Sequence, residues 1–255
     1  MTSVRRGNSK QSVKTISVVM VFLLVSLSSF SQIGEHRNDL SIGVNGGYIL
    51  SNVGFTPKVP QNFHGGMTMG VSVKYVCEKY FTTICSLLGE INYASIGWKE
   101  DIKNAQEQPV INTATGVAEK YSRTINYIQM PLFAHLAWGK EERGMQFFVQ
   151  AGPQFGLYLN ESSDSNFDIE KINIDDRSNT IVKQYSMKVE RKFDYGIAAG
   201  AGVEYSVPKV GHFLLEARYY YGLGNIYHDS KRDYFGKSNI GNIVMKMTYL
   251  FDILH

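Results

Sequence analysis

Seven charged residues are the candidates for catalysis or binding. Each lies among apolar, small or glycine residues, in a segment with a regular pattern. They are Lys74, Glu90, Asp194, Glu204, Glu216, Arg218 and Lys246. If they faced an open space, carboxylates such as Glu90 and Glu216 could bind a cation or guide a substrate. If they faced a closed interior, they would pair with the basic residues, because buried charges need partners. The choice between these roles depends on the elements that hold them.

The stretch 191–226 shows how such residues are positioned. In its first arm, 193–205, apolar side chains occupy every second position, and small or charged residues such as Asp194 and Glu204 lie between them. After a short break that contains Pro and Gly, the second arm, 213–221, continues the same period. A period of two predicts β-strands, because successive side chains point to opposite faces of a sheet. Two such arms around a short break predict a β-hairpin.

The two faces of this hairpin differ in a way that indicates a membrane barrel. One face is apolar throughout, with Phe193 and Tyr205 at the ends of the first arm, and the other face is small or charged. A soluble ligand-binding barrel would have an apolar interior and a polar outside. An apolar outer face that ends in aromatic residues, around a polar interior, is typical of outer-membrane barrels. The charged residues are therefore predicted to face a narrow lumen.

Eight segments of the chain have this strand-like alternation. They are approximately 39–51, 66–75, 81–98, 121–138, 145–160, 193–205, 213–221 and 239–252. The connections alternate long and short, as in barrels with long outer loops and short periplasmic turns. We predict an all-β fold, an eight-stranded antiparallel up-and-down transmembrane β-barrel, closed so that no strand edge is unpaired in lipid. Pro131 cannot donate to a ladder, so a bulge or local break is expected there.

The predicted lumen leaves little room for chemistry, because eight strands enclose a space just wide enough for side chains. We therefore predict that the seven charged residues form a structural polar network and that the barrel has no open channel. No pattern predicts a catalytic group, a metal site or a cofactor. His135 and His228 have no Ser or Asp at an informative spacing. Gly196, Gly200 and Gly202 precede no helix, so they are expected to relieve crowding in the lumen rather than to bind a dinucleotide.

The N-terminus has the features of a cleaved signal peptide. Basic residues precede the apolar run 16–27, and small residues at Ser29 and Ser31 provide a cleavage site. The run is short for a membrane-spanning helix, which needs about 20 residues. We predict a signal peptide at 1–31 and a barrel domain at 32–255. Cleavage removes four basic charges and changes the formal net charge from +3 to −1, so no basic surface indicates nucleic acid.

Cys77 and Cys85 would reach an oxidising compartment, in which disulfides form. If the turn between the second and third strands lies near Glu78 and Lys79, Cys85 faces Ser72. The two cysteines are then about five residues apart along the strands, roughly 16 Å. This separation exceeds the reach of a disulfide. We therefore predict two free thiols.

Five segments together resemble the PorT-like outer-membrane β-barrel family, and they occur in the order that the family has. They are 89–93 (GEINY) followed by Gly97, 126–131 (NYIQMP), 148–153 (FVQAGP), 193–196 (FDYG) with Ala199 and Gly200, and 215–219 (LEARY) with Gly222 and Leu223. The resemblance covers roughly residues 38–252 and implies an eight-stranded barrel in the outer membrane. For the family's namesake, it also implies a role in the type IX secretion pathway, which exports proteases and adhesins.

These observations predict a non-enzymatic component of secretion or envelope assembly, with outer-membrane lipid and secretion-machinery proteins as partners and no nucleic acid. The long loops, about 99–120 and 161–187, are the expected contact surfaces, because rigid scaffolds present function on loops. Two other classes stay open. A small ligand-binding or transport barrel would need a widened lumen, and an outer-membrane enzyme would need a catalytic triad or a carboxylate pair near the rim.

Overall fold

The computed structural model describes residues 34–113, 115–141, 143–227 and 234–254, and the strands in them form one sheet. The strands are β1 (Glu35–Thr56), β2 (Gln61–Asn62), β3 (His64–Tyr80), β4 (Thr83–Glu100), β5 (Tyr121–Gly139), β6 (Gly144–Ser165), β7 (Phe193–Val207), β8 (Gly211–Gly222) and β9 (Lys237–Leu254). Two single-turn 3₁₀-helices, Ile169–Lys171 and Lys183–Tyr185, lie between β6 and β7. Within the described residues, no helix has the length and hydropathy to cross a bilayer. The predicted signal peptide, 1–31, and His228 lie outside the described residues.

Eight of these strands close into a ring. From β3 to β9, each strand pairs antiparallel with the next one along the chain. β1 lies between β3 and β9 and completes the ring. β2 is a two-residue strand that pairs with the outer end of β4. The predicted eight-stranded up-and-down barrel is therefore confirmed, and its closure leaves no unpaired strand edge in the lipid.

Long and short connections lie at opposite ends of the barrel, as predicted. The short turns are 81–82, 140–143 and 208–210, and the longer loops are 57–63, 101–120, 166–192 and 223–236. The strands extend beyond the predicted segments, most clearly in β1. At its outer end the alternation continues in the opposite sense, because the apolar Val53 and Phe55 are buried there. Strands of 12–22 residues exceed the about 9–11 residues that a membrane requires. Their outer ends therefore project beyond the lipid.

The face toward the lipid is apolar. Large apolar side chains that are more than half exposed cover it on all eight strands of the ring: Val44, Met67, Met69, Val71, Leu87, Ile91, Leu132, Phe147, Ile197, Leu215, Met245 and Met247. Aromatic residues flank this belt, and Phe155 stacks on Phe193 at the outer side while Phe213 packs on Tyr249 at the periplasmic side. Paired aromatic girdles of this kind are typical of membrane barrels.

The lumen is filled by side chains in layers. Near the periplasmic end, a lower apolar layer contains Ile84, Ala137, Phe148, Leu214 and Leu250. Toward the outer end, an outer apolar core contains, among others, Ile96, Trp98, Tyr121, Tyr127, Tyr220 and Phe235. Glycines make room for these rings, as predicted: a Cβ at Gly202 would lie 2.6 Å from Phe148 Cζ, and one at Gly196 would lie 2.7 Å from the Tyr220 ring.

One local prediction needs correction. The turn between β3 and β4 lies at Phe81 and Thr82, so Cys85 faces Glu78 and not Ser72. Both cysteines are free thiols in the structure, but the predicted separation along the strands is wrong.

The irregularity expected at Pro131 is present as a local break, a gap in the ladder without a bulge. The register between β4 and β5 is the same on both sides of it, because Gly89 pairs with Leu132 and Asn92 pairs with Gln129. β5 therefore continues through Pro131, and the register shift in this strand lies instead between Asn126 and Tyr127, opposite β6.

Candidate functional site

Four of the seven predicted charged residues form one buried group, which we call the central cluster: Glu90, Glu216, Arg218 and Lys246. Arg218 Nη2 lies 3.1 Å from Glu90 Oε2 and also donates to Glu216 Oε1. Lys246 Nζ donates to Glu90 Oε1 and lies 3.4 Å from Glu216 Oε1. The cluster holds two carboxylates and two cations, so its formal charge is zero.

Neighbouring polar groups complete the coordination of the central cluster. Gln150 Nε2 donates to Glu216 Oε2 at 2.7 Å, and Asn92 Nδ2 donates to Glu90 Oε2 at 2.8 Å. The guanidinium carbon of Arg218 lies 4.7 Å from the centroid of the Phe133 ring. Each carboxylate is therefore bonded to cations and amides, which is the condition under which buried charges are tolerated.

A second polar group, partly buried, lies at the periplasmic mouth of the lumen. Lys74 Nζ donates to both oxygens of Glu204, at 2.7 and 2.6 Å. His212 Nδ1 lies 2.9 Å from Glu204 Oε1, and its Nε2 lies 3.2 Å from Asp252 Oδ1. Ser206 Oγ also lies 2.9 Å from His212 Nδ1. We call these five residues the mouth cluster.

The mouth cluster contains the residue types of a hydrolase triad, but its geometry does not favour that chemistry. A triad histidine needs one unprotonated ring nitrogen to accept the proton of the serine. Here, carboxylates of Glu204 and Asp252 lie against both ring nitrogens of His212. This arrangement favours an imidazolium that donates to both, which leaves no lone pair for Ser206. The group is therefore better described as a chain of ion pairs.

Asp194, the remaining predicted residue, is separate from both clusters. Its Oδ2 accepts a hydrogen bond of 2.5 Å from the Tyr220 hydroxyl. The predicted single network is thus divided into three groups at different depths of the lumen.

His135 faces the lumen and is fully buried. Its ring packs 4.6 Å from that of Phe148, and its Nε2 lies 4.0 Å from Glu204 Oε2. Neither ring nitrogen has a hydrogen-bond partner among the described residues. Its cross-strand neighbours Ser86 and Gln150 each also have an oxygen without a hydrogen-bond partner in the described part of the chain.

The outer end of the lumen is covered by two long loops, 101–120 and 166–192, which we call the outer cap. Arg177 joins them, because its guanidinium donates to Glu119 Oε2 at 2.5 Å and to the Tyr185 hydroxyl at 3.0 Å. The Tyr185 hydroxyl in turn donates to Glu100 Oε2 at 2.6 Å, and Gln184 Nε2 donates to Glu100 Oε1 at 2.9 Å. The cap is therefore anchored to the end of β4.

Further hydrogen bonds tie the two loops of the outer cap together at its edge. Asn166 Nδ2 donates to Ala118 O, and Asn112 Nδ2 donates to Asn166 O, both at 2.8 Å. Ser178 N donates to Lys103 O at 2.8 Å. The two longest loops thus form one ordered surface and not two independent arms.

Burial dominates the electrostatics of the outer cap. Glu100 lies at the outer end of β4, beyond the aromatic girdle and outside the membrane-spanning part of the strand. Burial raises its pKa, and the hydrogen bonds from Tyr185 and Gln184 offset only part of this effect. Burial, together with the nearby Glu100 carboxylate, also raises the pKa of the Tyr185 hydroxyl.

A cavity of about 500 Å³ lies at the periplasmic mouth, beneath the mouth cluster. Its lining includes Lys74, Gln146, Glu204, His212, Phe251 and Asp252. Gln146 is buried, with 3% of its surface exposed. No group of His, Cys, Asp or Glu side chains in the described part of the chain has the arrangement to hold a metal ion.

Several residues of these sites were not predicted. Ser206 and His212 are directly opposed in the β7–β8 hairpin, so extending the predicted arms by one residue each would have found the pair. Asp252 occupies one of the alternate positions of the last strand that face the lumen. Arg177 carries no such signal, because it lies in a loop without a period and its partners are set by the tertiary fold.

No curated protein matches the chain. Among solved structures, Ail of Yersinia pestis is 14% identical, with a TM-score of 0.35 over 84% of this chain and 100% of Ail. The N-terminal β-barrel domain of Pseudomonas aeruginosa OprF is 13% identical, with a TM-score of 0.36 over 85% and 100%. OprG of the same species is 9% identical, with a TM-score of 0.39 over 86% and 98%.

Similarity at this level transfers no property of those proteins to this chain. The sequence itself gives a more specific result. The model of the family described as outer membrane protein beta-barrel domain matches residues 30–228, which is most of the chain. The protein therefore belongs to this family of outer-membrane β-barrels.

Proposed function

We propose that the protein is a non-enzymatic, PorT-like component of type IX protein secretion or envelope assembly, which acts through its surfaces and not through a pore. The observation that carries this proposal is the combination of a filled lumen with an ordered outer cap. The central cluster and the lower apolar layer fill the barrel. Because the lumen of such a barrel is filled, its loops and turns are the parts that can contact partners.

The polar groups of the lumen have a structural role in this proposal. The central cluster is neutral and fully coordinated, so it contributes neither a free cation site nor a catalytic base. The mouth cluster holds its histidine between two carboxylates. Residues 1–31 act as a cleaved signal peptide, which delivers the barrel to the outer membrane.

Deletion of the gene, followed by proteomics of the culture medium and cell surface, tests this function. We expect loss of a whole class of exported proteins, restored by the wild-type copy. Complementation with Arg177→Ala, which releases the outer cap, should restore less export than complementation with Lys171→Ala, a change at an exposed position of the same loop. An unchanged set of exported proteins in the deletion strain would contradict the proposal.

The periplasmic cavity favours a second candidate, a small ligand-binding barrel. Its volume of about 500 Å³ lies within the range of ligand pockets. Its lining carries both signs of charge and the buried amide of Gln146. This combination fits a zwitterion such as a short peptide with free termini.

Calorimetric titration with a zwitterionic tripeptide, and with its acetylated and amidated form, tests the second candidate. Binding of the zwitterion alone, weakened at least tenfold by Gln146→Leu, would support it. Equal binding of both peptides, or none at millimolar concentration, would reject it.

A further inference from the structure

The two cysteines of the protein meet at a β-bulge near the periplasmic end of the barrel. Val76 pairs with Ser86, and the next assigned pair is Glu78 with Cys85. Cys77 is therefore an extra residue in β3 with no partner of its own. In a bulge, two residues of one strand oppose a single residue of the other. Cys77 and Glu78 thus both oppose Cys85.

This geometry brings the cysteines within the reach of a covalent bond. Directly opposed residues of an antiparallel pair have Cα atoms about 4.5–5.5 Å apart. Disulfides join residues whose Cα atoms are about 4.4–6.8 Å apart. Both cysteines are half-buried and are thiols in the structure, so formation of the bond requires their oxidation.

The two cysteines also lie where the surroundings favour disulfide formation. The turn at 81–82 is one of the short turns at the periplasmic end, and outer-membrane proteins mature in an oxidising compartment. The whole chain contains two cysteines, so no other intramolecular pairing competes. We propose that Cys77 and Cys85 form a disulfide in the mature protein, which fixes the bulge of the β3–β4 hairpin.

The oxidation requires a partner, which is a periplasmic dithiol–disulfide oxidoreductase in its disulfide form. One cysteine thiolate attacks a sulfur of the oxidant and forms a mixed disulfide. The second cysteine thiolate then displaces the oxidant and closes the Cys77–Cys85 bond. The two cysteines lose two electrons and two protons, and the oxidant leaves as a dithiol.

The bond would stabilise the floor of the periplasmic cavity. Val76 immediately precedes the bulge and packs against the lower apolar layer, and Lys74 of the mouth cluster lies two residues earlier on the same inward face. A fixed bulge holds the register of these inward side chains, because a slip of one residue would turn each of them to the opposite face.

Peptide mapping of the full protein from outer membranes tests the proposal directly. The protein is treated with N-ethylmaleimide without reductant, denatured and digested with trypsin, which cleaves after Lys74, Lys79 and Lys99. We expect peptide 75–79 joined to peptide 80–99, released by reductant, with neither cysteine alkylated. Alkylation of both cysteines in the folded wild-type protein would overturn the proposal.

A variant with a displaced cysteine makes the test specific to the bulge. In Cys77→Ser with Tyr75→Cys, the new cysteine faces Leu87 and lies farther along the strand from Cys85. We expect no linked peptides from this variant and alkylation at both positions. Linkage as complete as in the wild type would show that the bond forms without the bulge, and would also overturn the proposal.

Discussion

At the scale of single residues, the interior of this barrel is governed by the pairing of charge. The central cluster has equal numbers of carboxylates and cations, and each carboxylate also accepts from an amide. Removing one member of such a group leaves a buried charge without compensation, which costs more than the intact pair contributes. The contribution of each residue to stability therefore depends on whether its charged partners are present.

Arg218→Met should show this dependence. The substitution leaves Glu90 and Glu216 with Lys246 as the one remaining cation of the cluster. We expect the free energy of unfolding to fall by about 3–5 kcal/mol, measured by urea unfolding in lipid vesicles. The double variant Arg218→Met with Glu216→Gln restores neutrality and should lose less. A double variant that is less stable than the single one would contradict this account.

Glu100 should make the outer cap sensitive to pH. Because burial raises its pKa, the folded protein holds this proton more tightly than the unfolded chain. Its contribution to stability is therefore complete below the ordinary carboxyl pKa and is lost as the pH rises through the raised value. We expect Glu100→Gln to flatten the dependence of cap protection on pH, measured by limited proteolysis from acidic to neutral pH. Glu170→Gln, an exposed change in the same cap, should leave that dependence unchanged.

The strand period predicted which charged residues face the lumen, but not which of them form a cluster. Strand parity alone places Asp194, Glu204 and Glu216 on the lumen face, and the structure agrees. Grouping depends on the tilt of the strands, which brings Lys74 beside Glu204 although 130 residues separate them. No period in a single sequence specifies that tilt, so one network was predicted where three groups exist.

At the scale of elements, the strands were predictable and the loops were not. The alternation of apolar and polar residues predicts all eight barrel strands. It gives no comparable signal for the ends of the strands or for the bulge at Cys77. The two loops of the outer cap were predicted only as contact surfaces, from their length. Its internal order depends on buried side chains such as Arg177 and Tyr185, which are unremarkable in a polar loop until the fold gives them partners.

Gly202→Ala tests the packing of β7 against the lower apolar layer. A Cβ at this position would lie 2.2 Å from Leu215 O and 2.6 Å from Phe148 Cζ. We expect destabilisation of about 1–3 kcal/mol, as for an overpacked core, measured by urea unfolding in vesicles. Ala201→Val adds volume on the lipid side of the same strand and should change stability little. Equal effects of the two changes would show that lumen packing is not the cause.

Arg177→Ala tests the outer cap as a unit. The substitution removes charged hydrogen bonds worth about 1.5–3 kcal/mol each, together with packing against Phe167 at 4.8 Å. We expect cleavage within 166–192 of the folded protein to accelerate by about one to two orders of magnitude, because proteolysis follows the population of the open form. Lys171→Ala, whose side chain is exposed, is the control. Equal protection of both variants would mean that other contacts hold the cap.

At the scale of the whole molecule, the barrel is closed twice, by the outer cap and by its filled lumen. These closures are independent, because the cap lies beyond the lipid while the central cluster and the lower apolar layer lie within it. Eight strands leave space for side chains but not for an aqueous channel. The protein should therefore remain closed even when the cap is removed.

Conductance across a planar bilayer tests this independence. We expect no steady conductance steps from the wild-type protein. The same result is expected when loop 166–192 is replaced by a short Gly-Ser linker, because Phe148, Leu214 and the central cluster still fill the lumen. A general porin in the same bilayers serves as the positive control. Steps that occur only in the loop-replaced protein would show that the cap is the true barrier, and steps in the wild type would show that the lumen conducts; either result would replace the surface-acting role proposed here with transport.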